Sequence, residues 1–294
     1  MSPRCRLWVP LAVAAIAVAS TGVHAQEDPA LPDVLQAAGD YLVQYSLQLA
    51  AVGAEEQYTQ YDTSTGLMKT PTRLNADFVL VGNGAGGVTG FRDVFAVGTA
   101  PVRKRDDRLL TLFTVSPASA LPQARQLTDE SVRYYVSPNL RALDQPTIAL
   151  EFLRKENQER STFKLDGVKT MGGARVAILR FTERNTPRLV PSPENGPAVG
   201  RFWIDVASGT VRQTELGIVG KSSNIRASVD YAADATLGIW LPVAMYQQVE
   251  IRGAGSGEFS NMGSGGGYGA HQALEGRATY SKFRQVPVDV TKIR

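Results

Sequence analysis

Few side chains in this sequence have the chemistry of a nucleophile or a metal ligand. The chain has one cysteine, Cys5, and two histidines, His24 and His271. Cys5 and His24 lie in a segment that we interpret below as a removed export signal, which leaves His271 as the only histidine. A Ser-His-Asp triad would have to use His271, and no G-x-S-x-G motif lies near it. One histidine without cysteine is also a poor ligand set for zinc, so we predict no catalytic residues and no metal site.

Adjacent carboxylates are the remaining candidates for acid–base chemistry. Glycoside hydrolysis uses two carboxyl groups that flank the scissile bond, and the sequence has the pairs Glu55-Glu56 and Asp106-Asp107. Neighbouring residues of a strand point to opposite faces, so neither pair forms a catalytic couple by itself. An exported hydrolase whose carboxylates converge only in the folded chain stays open as an alternative. We interpret the mixed-sign stretch Arg103 to Arg108 as a solvated turn.

A glycine-rich stretch at residues 82–87 matches the pattern G-x-G-x-x-G. Dinucleotide binding by this pattern needs a helix N-terminus directed at the pyrophosphate. Here the residues that follow, Val88 to Phe95, have the character of a strand. We therefore interpret residues 82–87 as a tight turn and predict no cofactor.

The N-terminal segment has the three parts of an export signal. Arg4 and Arg6 form a positive region, Leu7 to Val18 is apolar except for Pro10, and a cleavage site follows Ala25. The apolar run is shorter than the roughly 20 residues that span a bilayer. We predict that residues 1–25 are a removed signal peptide, that the protein is periplasmic, and that no transmembrane anchor is left. An uncleaved N-terminal anchor is the alternative.

The mature chain is almost neutral, which excludes one class of partner. Removal of Arg4 and Arg6 with the signal leaves 29 basic residues (31 − 2) against 28 acidic ones. Proteins that bind nucleic acids carry clustered positive charge, so we predict no nucleic-acid partner. The 269 remaining residues (294 − 25) have an ordinary globular composition, with 43% hydrophobic and 20% charged residues in the whole chain.

Helices are predicted at three places in the mature chain. Asp33 can cap the first, whose apolar positions recur at spacings of three and four from Leu35 to Val52. Gly53 is a suitable residue to end it. Ser119 can cap a second helix that runs to about Tyr135. Asp144 can cap a shorter third one, which has Pro146 in its first turn.

Strands dominate the rest of the chain, and those after Thr162 alternate with period two. They follow one another through short turns, which implies antiparallel pairing. Residues 55–61 form a short polar strand that we expect to be an exposed edge. Residues 253–269, rich in glycine, are predicted to be a flexible hairpin tip, or alternatively a loop that closes over a ligand. The predicted strands are 55–61, 74–81, 88–97, 163–165, 174–182, 200–206, 211–219, 225–231, 239–251 and 273–286.

These elements predict an α+β fold in one domain, residues 26–294. Its core is a single strongly curved antiparallel sheet, a half barrel, with an N-terminal helix and two short lid helices. Aromatic and aliphatic side chains on the strands and lids either fill the core or line a cavity beneath the lids. The candidates for a ligand cavity are Phe78, Leu80, Phe95, Phe113, Phe152, Phe181, Phe202, Ile204, Tyr231, Trp240 and Tyr246.

The order of elements resembles the periplasmic lipoprotein-carrier fold of the LolA, LolB and LppX type. Three stretches resemble more closely a group of uncharacterised exported bacterial proteins with that architecture. They are residues 200–205, 237–243 and 275–283. The resemblance implies a hydrophobic cavity that holds acyl chains under a helical lid. No functional motif of the true carriers is present at a matching position here.

Our first functional expectation is a non-enzymatic periplasmic binder or carrier of an apolar ligand, a lipid or a lipidated protein. The alternative is a cell-envelope interaction or scaffold protein with a filled core, which would use the strand at 55–61 as an edge for strand addition. A cavity below roughly 300 Å³ would favour this alternative. The carboxylate-based hydrolase is the third possibility.

Overall fold

The computed structural model describes residues 27–64, 70–192, 194–252 and 271–288. The predicted signal peptide at residues 1–25 and the glycine-rich stretch at 253–269 lie outside the described residues. Among the helices described, none is both long and apolar enough to cross a membrane.

One open antiparallel sheet of eleven strands forms the body of the protein. The strand order is β4-β3-β2-β1-β11-β10-β9-β8-β7-β6-β5, so the first and last described strands pair near the middle of the sheet. The strands are β1 (Ala51–Asp62), β2 (Thr72–Gly82), β3 (Val88–Val97), β4 (Ala100–Pro101), β5 (Ser161–Met171), β6 (Ala174–Glu183), β7 (Ala198–Asp205), β8 (Val211–Val219), β9 (Ser223–Ala233), β10 (Trp240–Arg252) and β11 (His271–Gln285). The predicted α+β fold is confirmed.

The N-terminal helix α1 (Leu31–Leu49) shows that the sheet is strongly curved. It contacts both β2 and β5. These strands are eight spacings of about 4.8 Å apart, or roughly 38 Å in a flat sheet. A helix of 19 residues is only about 28 Å long. The sheet therefore bends around α1, as the predicted half barrel requires.

The end of α1 differs from the sequence prediction. The helix begins at Leu31 without a side-chain cap, and it ends at Leu49 because Ala50 takes a positive φ of 42°. Gly53, predicted to end the helix, lies inside β1 instead. The buried face of α1 includes Ala38, Leu42 and Tyr45, as the spacing of apolar residues predicts.

Residues 55–61 belong to β1, which is paired on both sides, with β2 and β11. The prediction that they form an exposed edge is wrong. The polar side chains of Glu55, Gln57 and Thr59 lie on the outer face. Those of Glu56, Tyr58 and Gln60 lie on the inner face, where they are buried and have hydrogen-bond partners.

Two outer helices cover the convex face of β1, β2 and β3. They are α2 (Arg108–Val115) and α3 (Pro117–Ser131), and their buried side chains pack on Val79, Val81 and Phe91. The predicted helix at 119–135 thus consists of α3 and one 3-10 turn, and α3 lies on the outside of the sheet. Its hydroxyls also accept hydrogen bonds from β3: the backbone N–H of Arg92 donates to Thr128 at 2.9 Å, and that of Val94 to Ser131 at 3.0 Å.

The stretch Arg103 to Arg108 is an ion-pair cluster rather than a solvated turn. Its arginines reach two acids that are almost fully buried on the outer face, Asp77 and Asp93. Arg105 Nη2 lies 2.9 Å from Asp77 Oδ1, and Arg108 Nε lies 2.8 Å from Asp93 Oδ2. These contacts fix the start of α2 on the sheet.

The turn between β7 and β8 matches the predicted hairpin loop. Gly209 has a φ of 71°, and Asp205 Oδ1 accepts hydrogen bonds from the backbone N–H groups of Ala207 and Ser208. Burial alone would raise the pKa of Asp205. The hydrogen bonds from Arg212 and from these two N–H groups outweigh burial and hold that pKa below its ordinary value.

Candidate functional site: the covered concave face

The concave face of the sheet is apolar and is covered by a segment of short turns. The covering segment, residues 132–153, contains three 3-10 turns: Val132–Tyr134, Pro138–Arg141 and Ile148–Leu153. The predicted third helix, expected from Asp144, is the last of these turns. After it, α4 (Lys155–Gln158) leads into β5. Together with α1, the covering segment occupies the space that the half barrel encloses.

A buried arginine fixes the covering segment to the sheet. Arg92 on β3 is 0% exposed, and its Nη2 donates to Glu56 on β1 at 2.7 Å. Its Nη1 donates to Asp144 Oδ2 at 2.9 Å and also to the hydroxyl of Tyr135. Burial by itself would lower the pKa of Arg92. The nearby Glu56, Tyr135 and Asp144 outweigh burial and raise that pKa well above its ordinary value, so the guanidinium stays charged.

Glutamine side chains of the concave face supply a second set of polar contacts. Gln247 Nε2 donates to the carbonyl oxygen of Leu140 at 2.8 Å, while its Oε1 accepts a hydrogen bond from Tyr58 at 2.7 Å. Gln60 Oε1 accepts from the backbone N–H of Val136 at 2.8 Å. The first half of the covering segment is therefore held by directed hydrogen bonds rather than by regular secondary structure.

Tyrosines are unusually deeply buried around this face. Burial raises the pKa of the hydroxyls well above the ordinary value of 10.0. One of these hydroxyls, that of Tyr231, donates to the carbonyl oxygen of Pro146 in the covering segment at 2.6 Å. The tyrosines with a raised pKa at this face are Tyr41, Tyr45, Tyr58, Tyr135, Tyr231 and Tyr280.

The structure divides the eleven predicted cavity residues between the two faces of the sheet. Seven are buried in the interior cluster: Phe78, Leu80, Phe152, Phe181, Phe202, Ile204 and Tyr231. Trp240 packs against that cluster and is partly buried. The remaining three lie elsewhere: Phe113 in the outer cluster beneath α2, Phe95 under the guanidinium of Arg105, and Tyr246 on the convex face.

The interior rings pack on one another and on a ring of the covering segment. The centroid of Phe152, from the covering segment, lies 4.6 Å from that of Phe181, which lies 5.0 Å from that of Phe202. These separations are typical of favourable aromatic contacts. In this arrangement, the covering segment itself fills the apolar space in which an apolar guest would be bound.

A cleft of about 380 Å³ opens where the covering segment meets the ends of β9 and β10. Its walls are largely apolar, with Pro138 and Ala142 from the covering segment and Ile225 and Ile251 from the sheet. Pro191 closes one side, from the proline-rich loop between β6 and β7. None of these residues carries a recognisable sequence motif, and only the fold brings them together.

The described part of the chain contains no cluster of metal ligands, since no three acidic, histidine or cysteine side chains converge there. The two carboxylates that share a partner in the interior, Glu56 and Asp144, are both bound to Arg92 and buried away from the cleft.

No protein-family model and no curated protein matches this chain. Several solved structures do. A domain described as an outer membrane lipoprotein-sorting protein, from Vibrio parahaemolyticus, is 10% identical over 88% of this chain and 95% of its own, with a TM-score of 0.43. A LolA superfamily protein from Nitrosomonas europaea is 10% identical over 88% of this chain and 97% of its own, with a TM-score of 0.34.

The lipoprotein LppX from Mycobacterium tuberculosis is 12% identical over 89% of this chain and all of its own, with a TM-score of 0.22. These matches include the LolA and LppX types that the order of elements resembles. Because every one of these TM-scores is below 0.5, what this chain binds has to be inferred from its own side chains.

Proposed function

We propose that the mature chain is an exported, periplasmic and non-enzymatic protein that binds an apolar ligand, a lipid or a lipidated protein, on its concave face. The observation that carries this proposal is the covering segment. It consists of single 3-10 turns, lies on an apolar face, and borders an open apolar cleft of about 380 Å³.

The turns of the covering segment can be displaced while Asp144 stays bound to Arg92, because of how these turns are held. Its 3-10 turns have poor hydrogen-bond geometry and little cooperativity, so they rearrange more easily than an α-helix. After displacement, water can form hydrogen bonds with the backbone N–H of Val136, which now donates to Gln60, and with the carbonyl oxygen of Leu140, which now accepts from Gln247. The apolar face cannot be satisfied by water, since exposure costs about 25 cal/mol per Å². An apolar ligand that replaces Leu140, Leu143 and Phe152 removes that cost.

The first experiment is the extraction of the purified protein with organic solvent, followed by mass spectrometry, together with titration of a fluorescent fatty acid. Ala142→Trp places an indole in the cleft, and we expect it to weaken fatty-acid binding by about tenfold or more. Ala118→Trp, at an exposed position of α3, is the matched control and should have no effect. The absence of any bound amphiphile and of saturable fatty-acid binding would rule out this function.

A second candidate is supported by the filled interior. Since Phe152, Phe181 and Phe202 pack on one another, the protein could instead be an envelope scaffold that binds no guest. A partner would then add a strand at β5, which pairs only with β6 among the described strands. Pull-down of one periplasmic protein, lost when Thr162 and Lys164 are both changed to proline, would support this function. Loss of the same protein in Ala118→Trp would contradict it.

A further inference from the structure

The convex face carries a groove that is larger than the cleft beside the covering segment. It crosses the outer surface of strands β6 to β10 and has a volume of about 610 Å³. Small-molecule sites usually have volumes between roughly 300 and 1,000 Å³. The interior of the half barrel is on the other side of the sheet, so this groove is separate from the site proposed above.

The groove exists because small residues occupy its floor. Gly217 lies between Val199 on β7 and Arg226 on β9 in the strand register. A Cβ added at Gly217 would be 3.6 Å from Val199 Cγ2 and 3.7 Å from Arg226 Cγ, which are ordinary contacts. The packing of the sheet therefore does not require a glycine at this position. The missing side chain leaves open space between long neighbours.

Apolar side chains are exposed along the groove. Val219 is 52% exposed and Tyr246 is 37% exposed. They are two of the five large hydrophobic residues that are exposed in the described part of the chain. Both line this one groove. Their clustering provides a surface for the hydrocarbon part of a ligand.

Three arginines supply positive charge at the same place. Arg180 and Arg201 are directly opposite each other on β6 and β7, and both approach Asp166, at 2.6 and 3.9 Å. Glu215 lies 3.8 Å from Arg201. The side chain of Arg226 makes no hydrogen bond or ion pair to any residue that the structure describes, and its stem lies beside the floor at Gly217. Arg226 is thus the cation available to an anionic ligand.

We propose that this groove binds an anionic amphiphile, with its phosphate or carboxylate at Arg226 and its short apolar chain along Val199, Gly217 and Val219. A charge-assisted contact to a guanidinium fixes the head group. The exposed apolar side chains are covered by the chain of the ligand. This binding is independent of the function proposed for the concave face.

The test is calorimetric titration of the purified full-length exported protein with octyl phosphate, octanol and inorganic phosphate. We expect saturable binding of octyl phosphate, with octanol and inorganic phosphate each weaker by about tenfold or more. This comparison separates the amphiphile from a simple anion site and from a simple apolar patch. Equal affinity for octyl phosphate and either of the other two probes would overturn the proposal.

Two variants locate the ligand. Arg226→Gln should weaken octyl phosphate binding by about fivefold to tenfold, the effect of one charge-assisted hydrogen bond, and leave octanol binding unchanged. Gly217→Val fills the floor and should weaken both probes. The matched controls are Arg73→Gln, an exposed arginine of β2, and Ala244→Val, a partly exposed position of β10 outside the groove. Unchanged affinity in Arg226→Gln and Gly217→Val would refute the assignment.

The same titration distinguishes this groove from the concave face. Ala142→Trp, which blocks the cleft beside the covering segment, should leave octyl phosphate binding unchanged. Loss of binding in Ala142→Trp would place the ligand inside the half barrel and overturn the proposal for the outer groove. A failure of fatty-acid binding at the concave face would have no effect on the result expected for Gly217→Val.

Discussion

Arg92→Met tests whether a single buried cation holds the covering segment on the sheet. The native guanidinium is fully buried and is bonded to Glu56, to the hydroxyl of Tyr135, and to both the side chain and the carbonyl oxygen of Asp144. Methionine keeps most of the apolar stem but leaves the carboxylate of Glu56, also 0% exposed, without its cation. Breaking a buried ion pair in this way costs about 3 to 5 kcal/mol.

The loss is large compared with the total stability of a domain, about 5 to 15 kcal/mol. We therefore expect the urea midpoint to fall steeply and the variant to approach unfolding at 37 °C. Equilibrium urea unfolding, followed by circular dichroism and by tryptophan fluorescence, measures the change. Arg73→Met is the matched control because Arg73 is exposed on the adjacent strand, and its effect should stay within about 0.5 kcal/mol.

A double variant identifies the cause of the loss. In Arg92→Met with Glu56→Met, the charge left behind by the single variant is removed as well. We expect the double variant to be more stable than Arg92→Met alone by about 1 kcal/mol or more. A single-variant loss below about 1 kcal/mol, or a double-variant loss equal to the sum of the two single losses, would show that this account of the network is incorrect.

Three further outcomes are expected. Gly82→Ala would place its Cβ 1.9 Å from the carbonyl oxygen of Ser46, so it should destabilise the fold by about 2 to 4 kcal/mol, whereas Gly217→Ala should be nearly neutral, and thermal melts of the two variants check this. Asp205→Asn should lower the stability of the fold at pH 7, because the folded-state pKa of Asp205 is lowered. The stabilisation that the ionised Asp205 provides is lost as the pH falls below about 4, so the urea midpoints of wild type and variant should converge there. The buried tyrosines have raised pKa values, so their hydroxyls should stay protonated at pH 11 while the chain is folded. The stability of the fold should therefore decline as the pH rises above about 10. The absorbance of tyrosinate near 295 nm should show incomplete ionisation in water and complete ionisation in urea.

Much of the fold can be predicted from the sequence because alternation in a strand directly reflects the two faces of a sheet. The apolar positions of β9 have period two, and the structure buries the same residues, Ile225, Ala227, Val229 and Tyr231. The spacing in α1 likewise indicates which residues face the sheet. These are local patterns, and each depends only on the geometry of its own element.

The faces of some side chains could not be predicted, since a bulge changes the alternation without a clear signal in the sequence. In β10 the register shifts between Pro242 and Ala244. Trp240 packs against the interior, whereas Tyr246 lies on the convex face, although both are even-numbered residues of one strand. Simple alternation places both rings on the same face.

The cleft and the outer groove also could not be predicted. Each depends on residues that are distant in the sequence, such as Pro138 with Ile251, or Arg180 with Tyr246. The position of residues 55–61 was wrongly predicted for the same reason. Polar residues are typical of edges, but the partner that makes β1 an inner strand is β11, more than 200 residues later.

The pairing of β1 with β11 has a consequence for how the chain is assembled. Val52 is opposite Gln285, so the last described strand joins β1 to β4 to the sheet of β5 to β10. Before β11 arrives, β1 to β4 and β5 to β10 are two unconnected sheets, and β1 and β10 each expose a row of unpaired backbone groups. A ribosome delivers β11 after all the other described strands. The two sheets therefore stay separate until β11 has been synthesised, and during that interval their open edges can pair with other chains.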